Sequence, residues 1–155
     1  MTVLQVGEKA PEFNMPTDGG EDVSLSALKG TPFVLYFYPK DNTPGCTTEA
    51  KDFTASIKEF DKLGVKVIGV SRDSLKKHAN FREKQELEVI LASDEDGATC
   101  EAFGVWVLKK NYGREYMGIE RSTFLIDGEG IIRTVWRKVR VKEHVDAVLE
   151  AAKAL

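Results

Sequence analysis

Phe33-Val34-Leu35-Tyr36-Phe37-Tyr38-Pro39-Lys40-Asp41-Asn42-Thr43-Pro44-Gly45-Cys46-Thr47-Thr48-Glu49-Ala50 spells a strand, a loop and the start of a helix. Residues 33–38 are apolar on both faces and bounded by Pro32 and Pro39, as a strand in the middle of a sheet must be. The period then changes. Cys46, Ala50, Phe53, Ile57 and Phe60 recur at helical spacing, and Gly64 ends the helix after Leu63. Thr43 suits the N-cap and Pro44 suits N1, where a missing N–H costs nothing. Cys46 therefore falls at N3, where a capping box carries Glu or Gln.

A thiol at that position meets two opposed influences. The free N–H groups of the first turn and the positive end of the helix dipole favour an anion. Cys46 also continues the apolar stripe through Ala50, Phe53 and Ile57, which puts it in a pocket at the sheet edge rather than in open water. Burial disfavours charge, so a reactive thiolate there needs hydrogen-bond donors and a cation nearby. A structural cysteine packs as a small hydrophobe and needs neither. The Thr-Pro-Gly-Cys context favours the reactive alternative, because the loop exposes the helix start and orients its amides.

Outward from this unit the chain alternates apolar runs with amphipathic segments. Residues 65–70 predict a second buried strand, 74–87 a charged helix, 89–91 a short strand and 98–103 a short helix. Residues 123–126 and 131–136 flank Asp127-Gly128-Glu129-Gly130, which predicts a hairpin. Val141, Val145, Val148, Leu149 and Ala152 form one face of a closing helix. All 5 prolines precede residue 45, and residues 14–28 read as a small hairpin of their own. Residues 104–120 read as a long connection carrying Trp106, Tyr112, Tyr116 and Met117, which either rim a pocket, form a dimer contact or pack in the core. The expected fold is α/β, a thioredoxin-like three-layer sandwich with a central mixed β-sheet and an N-terminal hairpin extension, as one domain over residues 1–155.

Composition agrees with one self-sufficient core. The chain has 155 residues, 42% of them hydrophobic, with net charge −3. That size needs no disulfide support. With 2 cysteines and 2 histidines, a disulfide scaffold and a four-thiolate zinc module are excluded. His78 and His144 lie on separate helices and are expected to be exposed, with no third ligand nearby; no metal or other cofactor is expected. No basic leader precedes an apolar core at the start, and the densest apolar runs fall far short of the about 20 residues of a membrane span. A reducing cytoplasm is the expected compartment. Arg133, Arg137, Lys138, Arg140 and Lys142 form a basic run, which on an acidic chain reads as a solvated strand face rather than a nucleic-acid site. No phosphate-binding glycine motif occurs, and the absence of any C-x-x-C disfavours a thiol–disulfide oxidoreductase.

Residues 37–50 resemble the active-site segment of peroxiredoxins, in particular the bacterioferritin comigratory protein (BCP/PrxQ) subfamily. The Pro-x-x-x-Thr-x-x-Cys frame is present as Pro39, Thr43 and Cys46. Further matches are residues 6–13, Glu101-Ala102-Phe103-Gly104-Val105-Trp106, residues 118–127 and Trp136-Arg137-Lys138-Val139. The resemblance implies a thiol-dependent peroxidase acting on hydrogen peroxide and organic hydroperoxides. Cys46 would be the nucleophile that becomes a sulfenic acid. Thr43 would hydrogen-bond thiolate and peroxide, Pro39 would shield the pocket, and Arg121 would hold the thiolate and stabilise the leaving oxygen. Glu49 would orient Arg121 or another basic group. Sequence pattern alone does not select Arg121.

The chain departs from the subfamily where many members carry a resolving cysteine. The position five residues after Cys46 is Lys51, and Arg82 stands where the next helix would supply one. Cys100 is the other thiol, either a helix residue without redox role or a resolving partner. The favoured expectation is a one-Cys peroxidase recycled by an external thiol such as thioredoxin, glutaredoxin or a small thiol, as a monomer or weak dimer. The alternatives are a two-Cys peroxidase resolved by Cys100 and a thiol–disulfide oxidoreductase without peroxidase activity.

Overall fold

The computed structural model describes residues 4–155. Residues 1–3, part of the stretch expected to carry no leader, lie outside the described residues. Five strands form the central sheet: β3 (Phe33–Phe37), β4 (Lys66–Ser71), β5 (Ile90–Ser93), β8 (Ser122–Ile126) and β9 (Ile132–Trp136), in the order β5-β4-β3-β8-β9. β3, β4 and β5 are parallel, joined through α1 (Pro44–Ala55), α2 (Ile57–Lys62) and α3 (Leu75–Gln85). β8 runs antiparallel to β3, and β9 to β8. The sheet is mixed, with β3 at its centre, as its unbroken apolar run requires.

Alternation along β3 divides the core in two. Val34, Tyr36 and Tyr38 face a cluster with Cys46, Ala50 and Phe53 of α1, Phe60 of α2, Phe81 of α3, and Val145 and Val148 of α5 (His144–Lys153). Phe33, Leu35 and Phe37 face a second cluster with Cys100 of α4 (Ala98–Ala102), Phe103, and the leader residues Phe13, Met15 and Leu25. Helices on one face, the sheet, and α4 with the leader on the other make the three layers of a thioredoxin-like sandwich. The leader carries the expected small hairpin, β1 (Asn14–Met15) against β2 (Val23–Ser24). Tyr36 lies across β4, opposite Gly69, where a Cβ would stand 2.6 Å from the ring; only glycine leaves that space.

Three local expectations need correction. The helix after Cys46 is not continuous to Leu63: it breaks at Ser56, which ends α1 and opens α2. Residues 104–120 are not a plain connection but a hairpin of β6 (Trp106–Asn111) and β7 (Arg114–Ile119), turning at Tyr112 and Gly113 with φ of 51° and 77°. Positive φ at both turn residues is the tight turn that matches strand twist. It projects from the core, with Leu108, Tyr112, Tyr116 and Met117 exposed. Arg137 is not simply solvated, since its guanidinium lies 5.5 Å from the Phe124 ring.

Both histidines are buried, contrary to expectation. His78 shares the inward face of α3 with Phe81, and His144 packs against Trp136 with Nε2 2.8 Å from the Thr123 hydroxyl. Burial first, and the Arg121 charge second, hold His144 down at about 4 from an ordinary 6.5. Between those values the unfolded chain binds a proton that the folded chain refuses, so stability present above pH 6.5 is lost as pH falls toward 4. At about 1.4 kcal/mol per pH unit the loss is about 3 kcal/mol. Urea unfolding at several pH values is expected to show the wild type losing stability relative to His144→Gln, which does not titrate, as pH falls from 6.5 toward 4; a difference between the two that does not change with pH would refute the assignment.

Candidate active site

Cys46 is presented by the β3–α1 unit. β3 ends at Phe37, two residues before Pro39, and Thr43 occupies the N-cap with extended φ and ψ. The first bond of the helix runs from Thr47 N to Thr43 O at 2.9 Å, so the amides of Gly45 and Cys46 lie ahead of it. The sequence suggested Thr43 as the capping residue, and it does hold the N-cap position, but its side chain makes no cap bond to the helix. Its hydroxyl donates to Lys40 O at 2.8 Å and closes the loop on itself. Cys46 is buried, 1% exposed, packed with Ala50 and Phe53 over the central strand rather than at a lateral sheet edge.

Register explains why Arg121 meets this thiol. β8 pairs antiparallel with β3 so that Ser122 lies opposite Phe37, and the preceding Arg121 emerges beside the loop that follows β3. Its carbonyl accepts from Val139 N at 3.0 Å, fixing the backbone there. Arg121 Nη2 donates to Cys46 Sγ at 3.3 Å, and Nη1 donates to Glu49 Oε1 at 2.7 Å. A Cβ on Gly45 would stand 3.2 Å from Nη2, so glycine gives the guanidinium room over the first turn. Cys46 and Glu49 sit one helical turn apart on the same face, and one planar fork reaches both.

The charges are not balanced evenly. Glu49 is fully buried, and its Oε2 has no hydrogen-bond partner among the described residues. Burial pushes Glu49 up to about 7, against the pull of Arg121. Burial alone would lower Arg121; the neighbouring Glu49 and Cys46 outweigh it and hold its proton more firmly than usual. The guanidinium is thus a permanent cation over the thiol, while Glu49 is a carboxyl that binds a proton readily.

The sequence-predicted residues Cys46, Arg121 and Glu49 are in direct contact, and Pro39 and Thr43 flank them on the loop. Cys100 is not with them. It is fully buried in the cluster on the other face of the sheet, where its amide donates to Asp94 at 2.8 Å. Burial and the Asp94 carboxylate push the Cys100 thiol far up. A depression of about 430 Å³ beside Pro39 is lined by Lys40, Arg72, Trp106, Lys109, Tyr116 and Met117. Trp106, Tyr116 and Met117 therefore line a cavity, whereas Tyr112 stands at the hairpin tip, 97% exposed. Sequence reasoning missed Lys109, which enters only because β6 and β7 pair. It also missed the burial of Asp41 and His78, although the three-residue spacing of His78 and Phe81 put both on one face. Among the described residues no cluster of three metal-ligating side chains occurs, and no helix is long and apolar enough to cross a membrane.

Residues 6–135 match the AhpC/TSA family. Peroxiredoxin Bcp of Bacillus subtilis is 55% identical over 150 residues, 97% of this chain and 96% of the relative. The structure of the Xanthomonas campestris bacterioferritin comigratory protein, solved to examine its alkyl peroxide reduction activity, superposes with TM-score 0.87 and 52% identity, covering 92% of this chain and 90% of that one. A cysteine-to-serine mutant of Xylella fastidiosa PrxQ superposes with TM-score 0.93 and 39% identity, covering 99% and 98%. With a helix-start thiol under an arginine fork on this fold, the chain belongs to the AhpC/TSA family as a peroxiredoxin of the Bcp/PrxQ branch, a thiol-dependent peroxidase.

Proposed function

We propose that this domain reduces hydrogen peroxide and organic hydroperoxides by a one-Cys cycle, with Cys46 as the peroxidatic thiol. The observation that carries the assignment is the Arg121 Nη2 contact to Cys46 Sγ at the start of α1. The Cys46 thiolate attacks one peroxide oxygen; the S–O bond forms, the O–O bond breaks, and sulfur gives up two electrons. The leaving alkoxide or hydroxide takes a proton, and sulfur is left as the sulfenic acid. Arg121 and the amides of Gly45 and Cys46 stabilise charge on attacking and leaving atoms. Pro39 walls the pocket, Thr43 offers its hydroxyl lone pairs at the helix start, and Glu49 orients Arg121. An external thiol then displaces water from the sulfenic acid to give a mixed disulfide, and a second thiol releases Cys46. Thioredoxin, glutaredoxin with glutathione, or a small thiol in the cytoplasm would supply both, acting on a monomer or weak dimer.

Placement of the two cysteines supports the one-Cys form. A disulfide needs Cα atoms within about 7 Å, and the sheet separates the Cys46 cluster from the Cys100 cluster. Arg82, at the place a resolving cysteine would occupy, instead forks onto Asp18 and donates to Leu87 O at 2.8 Å, tying the end of α3 to the leader. One equivalent of hydrogen peroxide is therefore expected to leave Cys100 reduced. Mass spectrometry under non-reducing conditions reads this directly, and quantitative Cys46–Cys100 bonding would overturn it. Peroxide consumption with dithiothreitol, without reduction of insulin disulfides, is expected to separate this activity from a thiol–disulfide oxidoreductase.

A further inference from the structure

We propose that His78 is a positioning residue of the peroxidase: a proton shared with Asp41 holds the β3–α1 loop in the shape that sets Pro39, Thr43 and the first turn of α1 around Cys46. The proposal deepens the reading above and rests on Cys46 being the oxidised thiol. His78 is fully buried and Asp41 nearly so. His78 Nε2 lies 2.9 Å from Ala92 O, which can only accept, so Nε2 carries hydrogen. Nδ1 lies 2.6 Å from Asp41 Oδ2, while Asp41 Oδ1 accepts from the Tyr38 hydroxyl at 2.6 Å. Without a proton between Nδ1 and Oδ2, two lone pairs would meet at that distance.

The loop depends on this tie. Asp41 N donates to Asp73 Oδ2 at 2.8 Å, and Ser71 donates to the same oxygen at 2.7 Å. Asp41 is thereby held by β3, by the turn before α3, and by α3 itself. The next residue, Asn42, turns the chain with φ of 61°, a left-handed conformation that asparagine accepts more readily than other side chains. The groups facing His78 are Tyr38 and Asp41 from β3 and its loop, Asp73 from the turn after β4, and the Ala92 carbonyl from β5. Burial opposes the imidazolium, but the Asp41 bond and charge, the Ala92 carbonyl and Asp73 outweigh it and raise His78. Loss of that proton at alkaline pH frees Asp41, and with it the loop over the thiol. An apolar pair would fill the same space without that loop contact.

The test follows loss of the Cys46 thiol after mixing reduced protein with hydrogen peroxide, from about pH 6 to about pH 9.5, by acid quench and mass spectrometry. Wild-type oxidation is expected to slow on the alkaline side. His78→Leu is expected to be slower by about tenfold or more at neutral pH, since a small misplacement of reacting groups is costly. His78→Asn, whose amide nitrogen stands near the place of Nδ1, is expected to recover to within about threefold and to lose the alkaline decline. Ring nitrogen resonances of wild-type His78 should show both nitrogens protonated at neutral pH. A bare acceptor nitrogen, an alkaline decline unchanged in His78→Asn, or a folded His78→Leu oxidised at the wild-type rate would overturn the proposal. Should His78→Leu not fold, the His78→Asn profile and the resonances decide. Cys46→Ser, run in parallel, keeps the two readings apart: peroxide consumption by that variant defeats the role of Cys46, whereas its inactivity beside unaffected His78 variants defeats only the role of His78.

Discussion

Cys46→Ser is expected to bring peroxide consumption down to the uncatalysed background, a loss of about a thousandfold or more, because a hydroxyl at the same place is not a thiolate nucleophile. Cys100→Ser is expected to keep most of the activity. The contrast follows from position rather than from thiol chemistry alone. Cys46 has a permanent cation 3.3 Å from its sulfur and two unshared amides at its helix start. Cys100 has a carboxylate beside it, no exposure, and a thiol held protonated by both. Serine at position 100 can still donate to Asp94, so the expected penalty is one buried hydroxyl, about 1–2 kcal/mol, seen as a lower urea midpoint. Steady-state consumption of hydrogen peroxide with dithiothreitol checks both variants together. Equal loss in the two would mean that Cys100 takes part in turnover and would return the two-Cys cycle.

Residues whose neighbours are close in sequence were legible without coordinates. The strand expected at residues 33–38, the helix start at Pro44 and the thiol at N3 follow from periodicity and capping rules, and the structure has the helix start and the thiol at those places and the strand at residues 33–37. Arg121 was not legible from pattern, because a strand-flanking arginine gives no signal of what it faces. Only the pairing of Phe37 with Ser122 carries it to the thiol. The β6–β7 hairpin escaped for a different reason. It stands off the core with most of both strands exposed or half-buried, so no alternation of apolar and polar residues marks it, and the Tyr112-Gly113 turn was the remaining sign. Charged residues dominate α3 and hide the inward face that His78 shares with Phe81, whereas His144 opens the apolar face of α5, four residues before Val148. Both polar rings find hydrogen-bond partners inside, which makes their burial affordable.

Arg121→Met is expected to slow oxidation of Cys46 by about a hundredfold to a thousandfold, the range for removing one preorganised donor to developing charge. It also leaves Glu49 buried beside an apolar side chain. In the wild type burial already holds Glu49 at about 7 despite the arginine; without that cation it must rise further. The sign is fixed by the raised value. Below the ordinary 4.5 both folded and unfolded chains bind the proton, and above it the unfolded chain releases the proton first. The Glu49 contribution to stability therefore falls as pH rises, up to the folded value near 7 in the wild type and over a wider range in Arg121→Met. Urea unfolding should show a larger deficit for the variant at about pH 8.5 than at about pH 6. Adding Glu49→Gln removes the titrating carboxyl, so the double variant should recover the pH-dependent part of the stability and none of the rate. Recovery of rate together with stability would mean that Arg121 serves only to neutralise Glu49. Recovery of stability alone assigns to its second nitrogen, the one on the sulfur, a contribution to the chemistry that no repair of the core can replace.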